Sequence, residues 1–160
     1  MDKLLLRQQV LGRLAEDLLR VEQAAQIAHE AATHEENIAE NKYDTLGLEA
    51  AYLATGQARR AEAIRQAIVA WRSFSPAPYS PSKGIQLGAL VCLVDSSDKQ
   101  QSFFIGPDGG NMTLGSGADL LQVISSRAPL AQAMVGKCEG DEVSFRIGAV
   151  QQSFEVLQVN

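Results

Sequence analysis

Between positions 35 and 44 the chain gathers Glu35, Glu36, Asn37, Glu40, Asn41 and Asp44, with His34 just before and Tyr43 among them. Carboxylates at this density can present concentrated negative charge. The plain alternative is an acidic loop that is simply solvated. No other stretch offers as much. His29 and His34 are five residues apart, off one another's helical face, and neither has a metal partner within reach. Cys92 and Cys138 are far apart, with no pairing motif and no metal-site neighbours. The run Gly106-Pro107-Asp108-Gly109-Gly110 lacks the spacing and the lysine of a phosphate loop and reads as a hairpin turn. Arg59, Arg60 and Arg65, with Arg13 and Arg20, could make a basic flank suited to RNA. Glu16, Asp17, Glu22 and Glu62 intervene, so solvated faces of mixed charge explain them equally.

The acidic stretch sits midway along a pattern from Leu4 to Trp71. Leu11, Leu14, Leu18, Val21, Ala25, Ala28 and Ala32 alternate steps of three and four. So do Ala50, Ala54, Gln57, Ala61, Ile64, Ile68 and Trp71. This is the seam spacing of a coiled coil. Paired antiparallel, Leu11 meets Trp71, Leu18 meets Ile64, and Ala32 meets Ala50, so the reversal centres on Asn41. Such a hairpin, rising about 1.5 Å per residue, spans roughly 50 Å. The first helix is expected from near Leu4, with Asp2 as its cap, to about Glu36. The second is expected from Asp44 or Thr45 to about Ser73.

Composition restricts the function. The net charge of −5 argues against a protein that coats duplex nucleic acid by charge alone. The apolar start Leu4-Leu5-Leu6 is too short for a signal peptide, and nearby charges exclude a membrane span. Cys92 lies in an apolar run and is expected as a buried free thiol, which fits a cytoplasmic setting.

Three prolines within Ser75–Ser82 stop the second helix and mark a stiff linker. Beyond it the period becomes that of strands. Ile85–Asp95 is expected as a strand with a bulge at Gly88, followed by strands over Ser102–Gly106 and Asp119–Ser125. Pro129–Val135 is expected as one short helix closed by Gly136. Glu142–Ile147 and Ser153–Val159 alternate as a terminal hairpin. The fold class expected is therefore α+β. A helical hairpin occupies 1–74 with an acidic tip near 36–44, a linker 75–82, and a small antiparallel β domain with one short helix 83–160.

The stretch Ser126-Arg-Ala-Pro-Leu-Ala-Gln-Ala-Met-Val-Gly-Lys-Cys-Glu-Gly-Asp141 resembles a motif of the bacterial Gre transcript-cleavage factor family. Pro129, Leu130, Ala131, Ala133, Met134, Val135, Gly136, Lys137, Gly140 and Asp141 fit it. The resemblance extends over nearly the whole chain. It implies an FKBP-like C-terminal domain and a partner, RNA polymerase, whose secondary channel the hairpin enters. Contacts to polymerase through Pro129, Leu130, Lys137 and Asp141 are expected on the same footing, with Arg59, Arg60 and Arg65 facing nascent RNA. In cleavage factors of the family, an Asp, then a Glu three residues later, then Asn, help hold the second Mg²⁺ of the polymerase. Two-metal phosphodiester hydrolysis recruits that ion through one or two carboxylates. Here Glu40-Asn41 match, while the earlier position is Asn37, a neutral and weaker ligand. Glu35, Glu36 and Asp44 could substitute, so the resemblance implies a Mg²⁺ shared with polymerase at Glu40 and Asp44. It implies no cofactor of the chain's own.

Several readings stay open. The chain regulates elongation by stimulating cleavage, or it competes for the channel without cleaving, a choice that Asn37 favours. It is instead a coiled-coil adaptor whose small seam residues admit a third helix, or a prolyl isomerase. Against the last, Phe103, Phe104, Phe145 and Phe154 are expected in the core rather than in a pocket. A monomer not itself an enzyme is expected.

Overall fold

The computed structural model describes residues 1–34 and 45–160. Two compact units emerge: Gly12–Val69, and Met1–Leu11 together with Ala70–Asn160. Helix α1 spans Lys3–Thr33 and α2 spans Leu46–Ser73. Asp2 caps α1, its Oδ1 accepting the Leu4 N–H at 2.8 Å. At the start of α2, the Thr45 carbonyl accepts the Glu49 N–H at 2.9 Å, and the Thr45 hydroxyl donates to the Glu49 carboxylate at 3.2 Å.

Within Gly12–Val69 the seam expected from the heptads is the face turned from solvent. Leu14, Val21, Ala28, Ala61 and Ile68 are buried. Leu18, Ala25, Ala32, Ala50, Ala54, Gln57 and Ile64 are half-buried. The helices run antiparallel: Glu22 lies beside Arg65, and one groove is walled by Ala25 and His29 from α1 and by Ala58 and Ala54 from α2. Leu19, Ile27, Leu48, Tyr52 and Leu53 fall off the seam and are exposed.

In the other unit six strands form one sheet in the order β3-β4-β2-β1-β6-β5. They are β1 Leu90–Asp95, β2 Gln100–Gly106, β3 Met112–Leu114, β4 Leu121–Ser125, β5 Glu142–Ile147 and β6 Val150–Val159. All neighbours are antiparallel except β2 and β4, which run parallel. Helix α3 spans Pro129–Met134. The terminal hairpin and α3 lie where the sequence places them. Beyond the parallel β2–β4 pair, the unforeseen β3 and the later start of β4 at Leu121, three details differ. Strand β1 begins at Leu90, not Ile85, because Gly88 makes a turn at φ +90° and its N–H bonds the Ile105 carbonyl at 2.8 Å. The irregular register falls instead between Cys92 and Leu93. Gly106–Gly110 does not close a hairpin, since β2 and β3 flank β4 on opposite sides.

Alternation along β2 sorts the core into two faces. Phe103 and Ile105 join Ile85, Val91, Leu93, Met134, Val143 and Val156 in one buried cluster, with α3 contributing Ala131. Phe104 points the other way, to Trp71 and Phe74, with ring centroids 6.1 and 6.3 Å away. Trp71 is fully buried, and its ring occupies the space where a Cβ on Gly106 or Gly110 would stand. The Arg7 Nε, one turn into α1, donates to the Trp71 carbonyl at 2.9 Å. Trp71 thus belongs to the packing, as its sequence position implies.

Candidate functional site

The acidic set Glu36, Asn37, Glu40, Asn41 and Asp44 lies outside the described residues, and with it the Mg²⁺ expectation at Glu40 and Asp44. Among the described residues, no three His, Cys, Asp or Glu side chains converge as a metal site. No helix there is long and apolar enough to cross a membrane.

The arginines of α2 divide. Arg59 and Arg60 are exposed, and neither makes an ion pair among the described residues. Arg65 is engaged: its guanidinium meets Glu22 across the helix pair at 2.6 Å and Glu62 along α2 at 3.2 Å. These hydrogen bonds, first to Glu22 and then to Glu62, hold Arg65 above its ordinary range. Arg20 is likewise near Asp17 and Glu16, at 3.4 and 3.9 Å. On α2, Arg59, Arg60 and Arg72 are thus exposed without an ion pair among the described residues, while Arg65 is held in a partly exposed one. Beside Arg65 an open groove of about 510 Å³ between the helices has Ala25, Ala54, Ala58 and Ala61 in its floor and walls, with Glu22, Gln26, His29 and Thr55 beside them. Small seam residues leave that space.

The second set surrounds α3. Pro129 is the first helical residue, where a missing N–H costs nothing. Pro129 is exposed and Leu130 is half-buried against the core. Gly136 turns the chain at φ +79°. Its N–H donates to the Ile85 carbonyl at 2.8 Å, and the Ile85 N–H donates to the Lys137 carbonyl at 2.8 Å. This reciprocal pair stitches the segment after the linker to the motif. Lys137 is held by its backbone, and its side chain is half-buried. Asp141 has structural work: its Oδ2 accepts the Cys138 N–H at 2.8 Å, and its carbonyl accepts the Val156 N–H at 2.9 Å. The motif's glycines and its aspartate thus build the turn, while Pro129 is its exposed corner. Cys138 Sγ donates to the Pro81 carbonyl at 3.5 Å. Burial, and then the adjoining Cys138, push the Tyr79 phenol up.

Sequence reasoning missed a polar network ahead of α3. Ser125 Oγ donates to Asp108, and Asp108 Oδ2 lies 2.9 Å from Arg127 Nε. Asn111 Oδ1 accepts the Ser125 N–H at 2.8 Å. The network ties the glycine-rich loop to the end of β4. Its only sequence signal was an Asp and an Asn flanking two glycines. Sequence reasoning also missed Gly84. A Cβ there would stand 2.4 Å from the Gly136 carbonyl oxygen, and φ is +67°.

The family described as "Transcription elongation factor, GreA/GreB, C-term" matches residues 80–160. A transcription elongation factor GreA of Ruegeria pomeroyi is 31% identical over 84 residues, 51% of this chain and 49% of that protein. A GreA of Desulfovibrio desulfuricans is 36% identical over 75 residues, 46% of this chain and 42% of that one. The chain thus spans about half the length of the curated relatives it matches. Among solved structures, GreA factor homolog 1 (Gfh1) of Thermus thermophilus aligns over 94% of both chains at 21% identity, with a TM-score of 0.41. The matched segment contains the whole sheet, α3 and the Gly136–Asp141 turn, and on that match this chain belongs to the GreA/GreB family.

Proposed function

We propose that this chain regulates transcription elongation by binding RNA polymerase, with its helix pair entering the secondary channel and its sheet unit docking outside. One observation carries the reading. The match over residues 80–160 adjoins an antiparallel helix pair whose connecting stretch, 35–44, is the most acidic part of the chain. A narrow pair with small seam residues suits a confined channel. Arg59 and Arg60, without an ion pair among the described residues, offer contacts to nascent RNA, and Pro129 and Leu130 an apolar corner for polymerase. The setting this requires is cytoplasmic.

Within this reading the chain modulates paused complexes and stimulates cleavage weakly, because Asn37 removes one carboxylate from the set that would share Mg²⁺ with polymerase. Incubation with backtracked elongation complexes tests it. The expected outcome is bound polymerase, altered pause lifetimes and few shortened transcripts. Abundant shortened transcripts that vanish with Glu40→Ala would replace it with a cleavage factor. No binding at micromolar protein would remove the polymerase role.

The groove at Ala25, Ala54, Ala58 and Ala61 favours a second reading, an adaptor that receives a third helix. Recovery of partners other than polymerase subunits, lost on Ala58→Trp, would favour it.

A further inference from the structure

Strand β5 is one edge of the sheet, and six residues make it the longer edge; β3, at the other, has three. Natural edges are commonly guarded by charge, above all lysine, by proline or by a bulge. Glu142-Val-Ser-Phe-Arg-Ile147 has no proline or lysine, its two charges are of opposite sign, and past the bulge where Gly140 and Asp141 both bond to Val156 its pairing with β6 is unbroken.

The register fixes which backbone groups face outward. A two-residue loop, Gly148-Ala149, closes the hairpin, and Ile147 opposes Val150. In such a hairpin the closing pair exchanges hydrogen bonds, and alternate pairs follow suit. Ile147, Phe145 and Val143 therefore bond β6. The Val156 N–H to Asp141 carbonyl bond, at 2.9 Å, continues the same alternation. Glu142, Ser144 and Arg146 are left with their N–H and C=O groups directed away from the sheet.

The side chains of these three are exposed, and their charges are unbalanced. Glu142 stands opposite Glu155 of β6, a like-charge cross-strand pair. Arg146 stands opposite Gln151 and has no ion pair among the described residues.

We propose that the β5 edge pairs with the β5 edge of a second copy of this chain, antiparallel and centred on Ser144. In that register each Glu142 opposes the other copy's Arg146, Ser144 opposes Ser144, and Val143 opposes Phe145. The outward residues of both copies fall into hydrogen-bonded pairs, so the edge is satisfied with no shift of register. Each Glu142 gains the cation it lacks, and each Arg146 gains a carboxylate. The contact is two-fold and self-complementary, as closed dimers require. It departs from the expectation of a monomer.

Sedimentation equilibrium of the full chain tests this. The expected result is a concentration-dependent dimer below about 1 mM. Glu142→Arg alone, or Arg146→Glu alone, turns two attractive pairs per dimer into repulsive ones and weakens self-association about tenfold. Mixing the two variants restores it to the wild-type level, because in the mixed pair every 142 again faces an opposite charge at 146. That recovery also shows that both variants fold. A wild-type chain monomeric at 1 mM, a dimer indifferent to either reversal, or no recovery on mixing would each overturn the proposal.

Discussion

The helical unit buries alanines, and the sheet unit buries rings. Ala28 and Ala61 lie in the first with Val21 and Leu14, while Trp71, Phe103 and Phe104 lie in the second. A two-helix seam is one side chain deep. Truncating a residue there uncovers little, and the helices can close on the gap. The sheet unit has two packed faces, so a lost ring leaves a void that its neighbours cannot fill. Ala61, with Ala25, Ala54 and Ala58, also leaves an open groove of about 510 Å³ between the helices. Thinness and tight packing are opposed here, and the chain uses one in each unit.

The sharpest break would come from Trp71→Ala, expected to cost about 3–5 kcal/mol of unfolding free energy. Urea titration followed by far-ultraviolet circular dichroism measures it, since the only tryptophan is the residue removed. Gly106→Ala asks whether the ring can shift. A Cβ would fall 2.3 Å from it, and overpacking is expected to cost about 1–3 kcal/mol, read by Trp71 fluorescence during denaturation. Val21→Ala in the helical seam removes two buried carbons and is expected to cost about 1.5 kcal/mol, measured by the same titration. A Val21→Ala loss equal to that of Trp71→Ala would end the contrast between the units. The smallest effect is expected from Arg65→Gln. Its ion pairs to Glu22 and Glu62 are roughly half exposed, and thermal melts at high salt should not separate variant from wild type.

The helical seam was legible because its information is local. Steps of three and four between Leu14 and Ile68 need no knowledge of the rest of the chain, and each seam position is buried or half-buried. In the sheet unit, the Glu142–Ile147 hairpin strand and α3 were legible for the same reason. What escaped depends on distant partners. Three residues, Met112–Leu114, carry too little pattern to mark a strand, and they become one by meeting β4. Ile85 has the composition of a strand residue, but its N–H and C=O bond Lys137 and Gly136, fifty residues onward. The motif at 129–141 was readable as a sequence; that Asp141 closes a turn with Cys138 was not. Of the arginines singled out for RNA, Arg65 pairs with Glu22, a residue of the other helix, which residue types alone do not show. The acidic stretch 35–44 lies outside the described residues, so its reading still rests on residue types.

Gly84 carries no side chain, yet the backbone of Gly136 runs where any other residue would need a carbon. A saturation screen for activity would therefore mark it as intolerant as any reactive group. Ranked by such a screen alone, it would be mistaken for machinery. Assaying abundance beside activity would tell the two apart, because a bar to folding removes the protein and a lost reactive group leaves it intact.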